Sequence, residues 1–166
     1  MLMTCAVFFT VSCGGGGKNS NKLSESKIES MTNEELSDEI FTLYEQGMLG
    51  MGEILEKYPE ANKQMKADFE KLFDETINQI LVFGKVISKK ESGETEEIAM
   101  ALMKKMFQAT DLSQVLDTYN SRSSEINDFD AELAKKMVAM NTVTQYAFYD
   151  LLKEQNPEEA ERLGIK

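Results

Sequence analysis

Residues 59–90 read PEANKQMKADFEKLFDETINQILVFGKVISKK, and this stretch decides the fold class. Its apolar and small residues recur every three or four positions, which is the period of an α-helix with one buried face. That face is wider than a coiled-coil seam and comprises Met65, Phe69, Leu72, Phe73, Thr76, Ile77, Ile80, Leu81, Gly84 and Ile87. About 30 helical residues span on the order of 45 Å, so the stretch predicts a long central helix.

The preceding segment predicts a first long helix. Thr32 and Glu35 form a capping box at its start, since a Thr followed three residues later by Glu can satisfy two free helix-end amides. Three glycines at positions 47, 50 and 52 fall inside it. They predict a bend, a break or close packing near its middle. Gly84 in the next helix likewise predicts close approach of another helix, or a kink.

The following segments continue the helical pattern. Thr95 is the predicted N-cap of a third helix that runs to about Ala109, and Asp111 that of a short helix through Tyr119. Residues 120–125 are polar and predict a loop. A last long helix is predicted over 128–155, followed by a short terminal turn over 158–163.

Together these segments predict an all-α domain over residues 32–166. Short connections between about four long amphipathic helices favour an up-down-up-down bundle with short extra helices. Two helical hairpins packed orthogonally are the alternative. The size is usual for one domain and sufficient for a real core without disulfides.

The amino terminus has a different character. Residues 1–12 carry no charged side chain and are mostly apolar, yet they are too few to span a bilayer and suit a signal peptide. Thr10, Val11, Ser12 and Cys13 follow in order and resemble the lipobox of bacterial lipoproteins. The resemblance implies removal of residues 1–12 by cleavage between Ser12 and Cys13, with lipid such as palmitate then carried on Cys13.

This resemblance covers only the amino terminus, and two features depart from it. No Lys or Arg precedes Lys18, and position 10 is Thr where the pattern more often has Leu. A start codon further upstream would account for the missing basic segment. In the alternative reading, Cys13 is an ordinary small residue beside a glycine turn.

The predicted tether comprises residues 13–31. Four glycines followed by Lys, Asn and Ser bury too little apolar area to offset the entropy of ordering. About 18 such residues have a root-mean-square reach on the order of 23 Å. Gly14 follows the cysteine rather than Asp, which by resemblance implies the outer membrane of the cell envelope. The net charge of −11 disfavours contact with an anionic membrane surface, so the predicted membrane contact is through lipid on Cys13 alone.

Composition restricts the chemistry. The chain has no histidine, and its two cysteines are Cys5 and Cys13. A processed chain would have neither a disulfide nor a free thiol, and His-based catalysis and the usual zinc sites are excluded. No catalytic residue, metal site or cofactor is predicted. The net charge of −11 argues against nucleic acid as a partner.

Carboxylates recur at helical spacing in several places, as at Glu70 and Asp74. We interpret them as a solvated acidic face. A calcium or magnesium site made only of carboxylates is the alternative, and a glycosidase-like pair is formally possible.

Methionines and aromatic residues are the remaining candidates for function. The helical spacing of Met100, Met103, Met106, Met137 and Met140 predicts core positions, with an adaptable binding surface as the alternative. Tyr146, Phe148 and Tyr149 form a candidate ligand or partner surface, to which Phe41, Tyr44 and Phe83 could contribute.

The resulting functional hypothesis is a lipid-anchored cell-envelope protein with a non-enzymatic helical domain for protein interaction. The alternative is a carrier or chaperone that holds an apolar small molecule between helices. A sealed core would favour the first hypothesis, and an apolar cavity of roughly 300 Å³ or more would favour the second.

Overall fold

The computed structural model describes residues 23–109 and 112–165. This part of the chain is helical and contains no strand, which confirms the all-α helical bundle. The helices are α1 (Glu25–Glu29), α2 (Asn33–Lys57), α3 (Lys63–Ile87), α4 (Ser92–Gln108), α5 (Ser113–Phe129), α6 (Ala131–Met140), a 3-10 segment (Val143–Ala147), α7 (Tyr149–Gln155) and α8 (Pro157–Arg162).

Helix α2 begins as predicted and then runs without a break. The Glu35 amide donates to the Thr32 hydroxyl at 3.2 Å, and the Thr32 amide donates to the Glu35 carboxylate at 2.8 Å. Of the bend, break or close packing predicted at the three glycines, the break does not occur, because α2 is one helix of 25 residues. The glycines instead permit close packing: a Cβ on Gly47 would lie 2.9 Å from the sulfur of Met140.

Helix α3 is the predicted central helix, although it starts later than Pro59. Asn62 caps it by accepting hydrogen bonds from the amides of Gln64 and Met65, both at 3.0 Å. Its predicted apolar face lies in the core, where Met65, Phe69 and Ile80 have no exposed surface.

Helices α4 and α5 lie end to end along α2. The side-chain amide of Asn33 donates to the Glu97 carboxylate at 2.8 Å, and Asp38 pairs with Lys105 further along both helices. Helix α5 continues in the same direction, because Arg122 donates to the Leu55 and Tyr58 carbonyls near the end of α2.

Helix α6 returns along α3. Lys66 pairs with Asp130, and Glu70 pairs with Lys136 at 2.8 Å. The second pair lies four residues later in α3 and six residues later in the α6 segment, so the two helices run in the same direction. The chain direction therefore alternates as predicted, up in α2, down in α3, up in α4 and α5, and down in α6. Helix α4 packs mainly against α2, so the connection from α3 crosses the end of the bundle.

Three further predicted boundaries were wrong. Residues 120–125, the predicted loop, belong to α5. The predicted helix over 128–155 is three elements, because Asp130 caps α6 and the helix ends at Asn141, whose side chain accepts a hydrogen bond from Tyr44 at 3.2 Å. Helix α4 starts at Ser92 rather than after Thr95, and the Glu94 carboxylate accepts from the Glu91 amide there at 3.4 Å. The predicted cap at Asp111 lies outside the described residues.

The folded part begins earlier than residue 32. Ile28 of α1 is only 1% exposed, and Lys89 pairs with Glu25 at 3.0 Å and with Glu29 at 2.8 Å. The tether prediction was therefore wrong for residues 25–29, where composition suggested flexibility although one apolar side chain fixes the helix to α3. The predicted signal peptide, Ser12, Cys13 and the tether up to position 22 lie outside the described residues. Within the described ranges, no helix combines the length and apolar character needed to cross a membrane.

Candidate functional site

An apolar groove lies between α4 and the segment formed by the 3-10 turn and α7. Its volume is about 880 Å³, and apolar surface exceeds polar surface in its lining. It is open to solvent along one side. The groove forms because helix α6 ends at Asn141. The chain that follows packs more closely against α3 than against α4 and leaves a space beside α4.

The floor of the groove is part of the protein core. Ile87, Leu102 and Tyr44 are at most 5% exposed and stand at its base. Met106 and Ala99 of α4 form one wall and are half-buried. A molecule that enters the groove would therefore exchange water for contact with rigid side chains on one face and flexible thioethers on the other.

Polar groups occur at the two ends of the groove. At one end, Asn141 is fixed by the hydroxyl of Tyr44, and burial raises the pKa of Tyr44, which keeps that hydroxyl protonated. At the other end, the ammonium of Lys90 lies 3.2 Å from Glu94. Such an arrangement can orient a mostly apolar ligand by one polar contact at either end.

Of the three predicted surface aromatics, Phe148 and Tyr149 line the groove. Tyr149 is half-buried, and its hydroxyl donates to the Leu81 carbonyl at 2.9 Å. Tyr146 is not a surface residue, because it is 3% exposed and its hydroxyl donates to Glu159 at 3.0 Å. Burial, reinforced by the neighbouring carboxylate, raises the pKa of Tyr146.

Of the supporting aromatics, Tyr44 joins the groove, whereas Phe83 is buried and Phe41 packs beside Tyr44 with ring centres 6.3 Å apart. Helical periodicity places Phe148 and Tyr149 about 100° apart. Both reach the groove because the helix is interrupted just before them, with Phe148 at the junction between the 3-10 segment and α7.

The core prediction for the methionines holds for two residues, is wrong for two others and holds in part for Met106, which is half-buried and lines the groove. Met137 and Met140 are buried, whereas Met100 and Met103 are 66% and 57% exposed. The apolar pattern of α4 extends over more of its circumference than α2 covers. Phe107, on the same side of α4, is 83% exposed.

These side chains define the outer face of α4, which comprises Glu96, Glu97, Met100, Met103, Lys104 and Phe107, all exposed. Met103 and Phe107 also form the edge of the groove. Helical spacing had indicated only that these residues share one side of a helix. The spacing did not indicate that the neighbouring helices would leave these residues exposed.

Carboxylates in the described ranges are spread over the surface. There, no group of three or more Asp, Glu, His or Cys side chains is arranged to hold a metal ion. Glu70 pairs with Lys136. Asp68, two positions earlier in α3, accepts hydrogen bonds from Lys57, Tyr58 and Gln64.

No protein-family model, no curated protein and no solved structure matches the chain.

Proposed function

We propose that this protein is a non-enzymatic, lipid-anchored binding protein of the bacterial cell envelope, and that its groove carries an apolar small molecule. The observation that carries the proposal is the groove of about 880 Å³ between α4 and α7. This volume lies within the roughly 300–1,000 Å³ of known small-molecule sites.

The lining supports an elongated, largely apolar ligand. Leu102 and Phe148 supply fixed apolar surface, and Met103 and Met106 supply side chains that can adapt to irregular shapes. Each CH₂ group transferred from water into such surroundings is worth about 0.8 kcal/mol. A chain of several such groups therefore gains enough free energy to bind without a charged partner in the groove.

Native mass spectrometry of the segment from Gly14 onward, purified gently from its own host, tests this proposal. That segment retains every described residue. We expect a reproducible additional mass that denaturation releases. A chain that is bare under native conditions, and that also fails to bind a fluorescent fatty acid, would contradict carriage of an apolar molecule.

The proposed anchor is lipid on Cys13, exposed by cleavage after Ser12, with the outer membrane as the location. The support is the apolar run of residues 1–12, the small residue before the cysteine and the glycine-rich sequence after it. Metabolic labelling with palmitate should mark the wild-type chain and not a Cys13→Ala variant. Equal labelling of the wild type and Cys13→Ala would contradict the anchoring proposal and leave the groove proposal unaffected.

Protein interaction is the second candidate function, favoured by a different observation. The outer face of α4 exposes Met100, Met103 and Phe107 at helical spacing, and contiguous exposed apolar side chains are typical of protein contacts. Crosslinking on intact cells tests it, because a partner that covers this face should be captured by a photoreactive group at position 100 and not by one at position 138.

A further inference from the structure

We propose that the outer face of α4 binds the same face of a second copy of this chain, with the two α4 helices antiparallel. This contact goes beyond the carriage of a small molecule and does not depend on it. The occupant is identified by the order of apolar and charged side chains along α4.

The first argument is the apolar surface that the monomer leaves uncovered. Helix α4 buries only Ile98 and Leu102 fully, while Met100, Met103 and Phe107 are more than half exposed. Their spacing of three and then four residues places them in one stripe. Such a stripe is the seam along which two helices pack, with apolar side chains recurring every 3.5 residues on average.

The second argument is the charge order along the same face. The amino-terminal part carries Glu96 and Glu97, and the carboxyl-terminal part carries Lys104. Met100 and Met103 lie between these charges, and Phe107 follows Lys104. A parallel pairing would place like charges opposite each other. An antiparallel pairing places the acidic part of each helix beside the basic part of the other.

The register follows from symmetry. Glu97 and Lys104 are equally distant along the chain from the midpoint between Met100 and Ala101. A twofold axis at that midpoint brings Lys104 of each copy beside Glu97 of the other, so one surface satisfies both partners as an isologous contact requires. The two Met100 side chains meet near the axis.

The same register gives Phe107 a place to pack. It falls opposite positions 93 and 94 of the second copy, and a Cβ on Gly93 would have nothing within 4 Å. The ring can therefore lie over Gly93 without displacing a side chain. A uniformly basic helix from another protein would match Glu96 and Glu97 but would repel Lys104, and an anionic membrane surface would repel both glutamates.

Single-cysteine crosslinking of the full chain in intact cells tests the contact. The natural cysteines are confined to positions 5 and 13, so a Met100→Cys variant introduces one thiol in the helical domain and the wild type reports the background. Mild oxidation should produce a disulfide-linked dimer on a non-reducing gel. The matched control is Val138→Cys, at a similarly exposed apolar position on α6. Dimer formation no greater than in this control would overturn the proposal.

Charge reversal in the Met100→Cys background tests the register. Glu97→Lys and Lys104→Glu should each reduce the dimer yield, because each creates like charges at two symmetry-related positions. We expect about a tenfold loss for each single variant. The double variant exchanges the two charges, so positions 97 and 104 of the two copies again carry opposite charges. It should recover most of the dimer yield.

Two other outcomes would contradict the proposal. If the double variant remains as weak as the single variants, the antiparallel register is wrong, and with it the charge argument for a second copy. If Glu97→Lys weakens capture of another protein and Lys104→Glu strengthens it, the occupant is a basic partner and not a second copy. Because Asn33 donates to Glu97, Glu97→Gln supplies a milder variant that keeps an acceptor and loses only the charge. Ligand mass in native spectra reports on the groove separately in every variant.

Discussion

Gly84 of α3 lies directly against one edge of the ring of Tyr149 in α7. A Cβ at position 84 would contact the edge of that ring and would lie 2.7 Å from the carbonyl oxygen of Tyr146. One turn earlier, the Leu81 carbonyl accepts the Tyr149 hydroxyl at 2.9 Å. The missing side chain thus lets an aromatic ring lie along α3, and this contact positions one wall of the groove.

Gly84→Ala should destabilise the protein. Alanine favours a helix over glycine by about 1 kcal/mol, but overpacking at a closed site costs typically 1–3 kcal/mol, and here one of the obstructing atoms belongs to the backbone. We expect a net loss of about 1 kcal/mol in the free energy of unfolding, measured by urea denaturation.

Gly93→Ala is the matched control. Position 93 also lies in a helix, and its surroundings within one chain are open. In a dilute, monomeric sample only the helix-propensity gain of up to about 1 kcal/mol therefore applies. Opposite signs for the two variants are the expected result. An unchanged or raised stability for Gly84→Ala would contradict the contact with Tyr149.

The fold was predictable wherever local pattern and tertiary packing agree. The apolar face of α3 and the capping box at Thr32 are both decided by residues within a few turns of each other. The break at Asn141 was not predictable, because the hydroxyl that binds its side chain belongs to Tyr44, 97 positions earlier. Ile28 was missed for a similar reason, since one buried side chain outweighs a polar segment only where α3 is present to cover it.

The candidate site was predictable in part. Phe148 and Tyr149 stood out as adjacent aromatics, and both line the groove. Met103 and Phe107 belong to an apolar helical face whose sequence spacing is the same as that of a buried face. Periodicity indicates which side of a helix is apolar, and only the packing of neighbouring helices determines how much of that side is covered.

Filling the groove should abolish ligand binding without unfolding the protein. Ala99 is half-buried and lines the groove, so Ala99→Phe places a ring where the ligand would lie. We expect the affinity for a fluorescent fatty acid to fall at least about tenfold, the equivalent of 1.4 kcal/mol, as measured by titration.

Ala101→Phe provides the control for that substitution. Ala101 is also half-buried in α4 but lines a small depression on the other side of the helix, beside Asn33. The control should bind the probe like the wild type, with melting temperatures measured for both variants. Equal affinities for the two variants would exclude the groove as the binding site.

Stability should depend on acid through Asp68. Hydrogen bonds from Lys57, from the Tyr58 hydroxyl and from Gln64 lower the pKa of Asp68 from 3.8 to about 2. Because the folded-state pKa lies below the unfolded value, the stabilisation is complete above pH 3.8 and is lost as the pH falls toward about 2.

Melting curves of the wild type and of Asp68→Asn, recorded between pH 6 and pH 2, test this dependence. The wild type should melt at the higher temperature at pH 6, and the difference should disappear near pH 2. Tyr58→Phe, which keeps the Lys57 bond at 2.8 Å, should show the same trend with a smaller difference. A gap between wild type and Asp68→Asn that stays constant over this range would contradict the role of the Asp68 charge.

The carboxyl-terminal helix α8 should depend on the buried hydroxyl of Tyr146. Glu159 accepts a hydrogen bond from that hydroxyl at 3.0 Å and from Arg162 at 2.6 and 2.7 Å. Tyr146→Phe removes a hydrogen bond to a charged acceptor, but Glu159 keeps Arg162, so we expect a loss of about 1 kcal/mol in unfolding free energy. Hydrogen exchange should also accelerate in α8, since Tyr146 joins that helix to the 3-10 segment. The control is Tyr149→Phe, because the Tyr149 hydroxyl donates to α3 and not to α8. Hydrogen exchange in α8 should stay unchanged in this variant. Equal acceleration in both variants would show that Tyr146 has no specific role in holding α8.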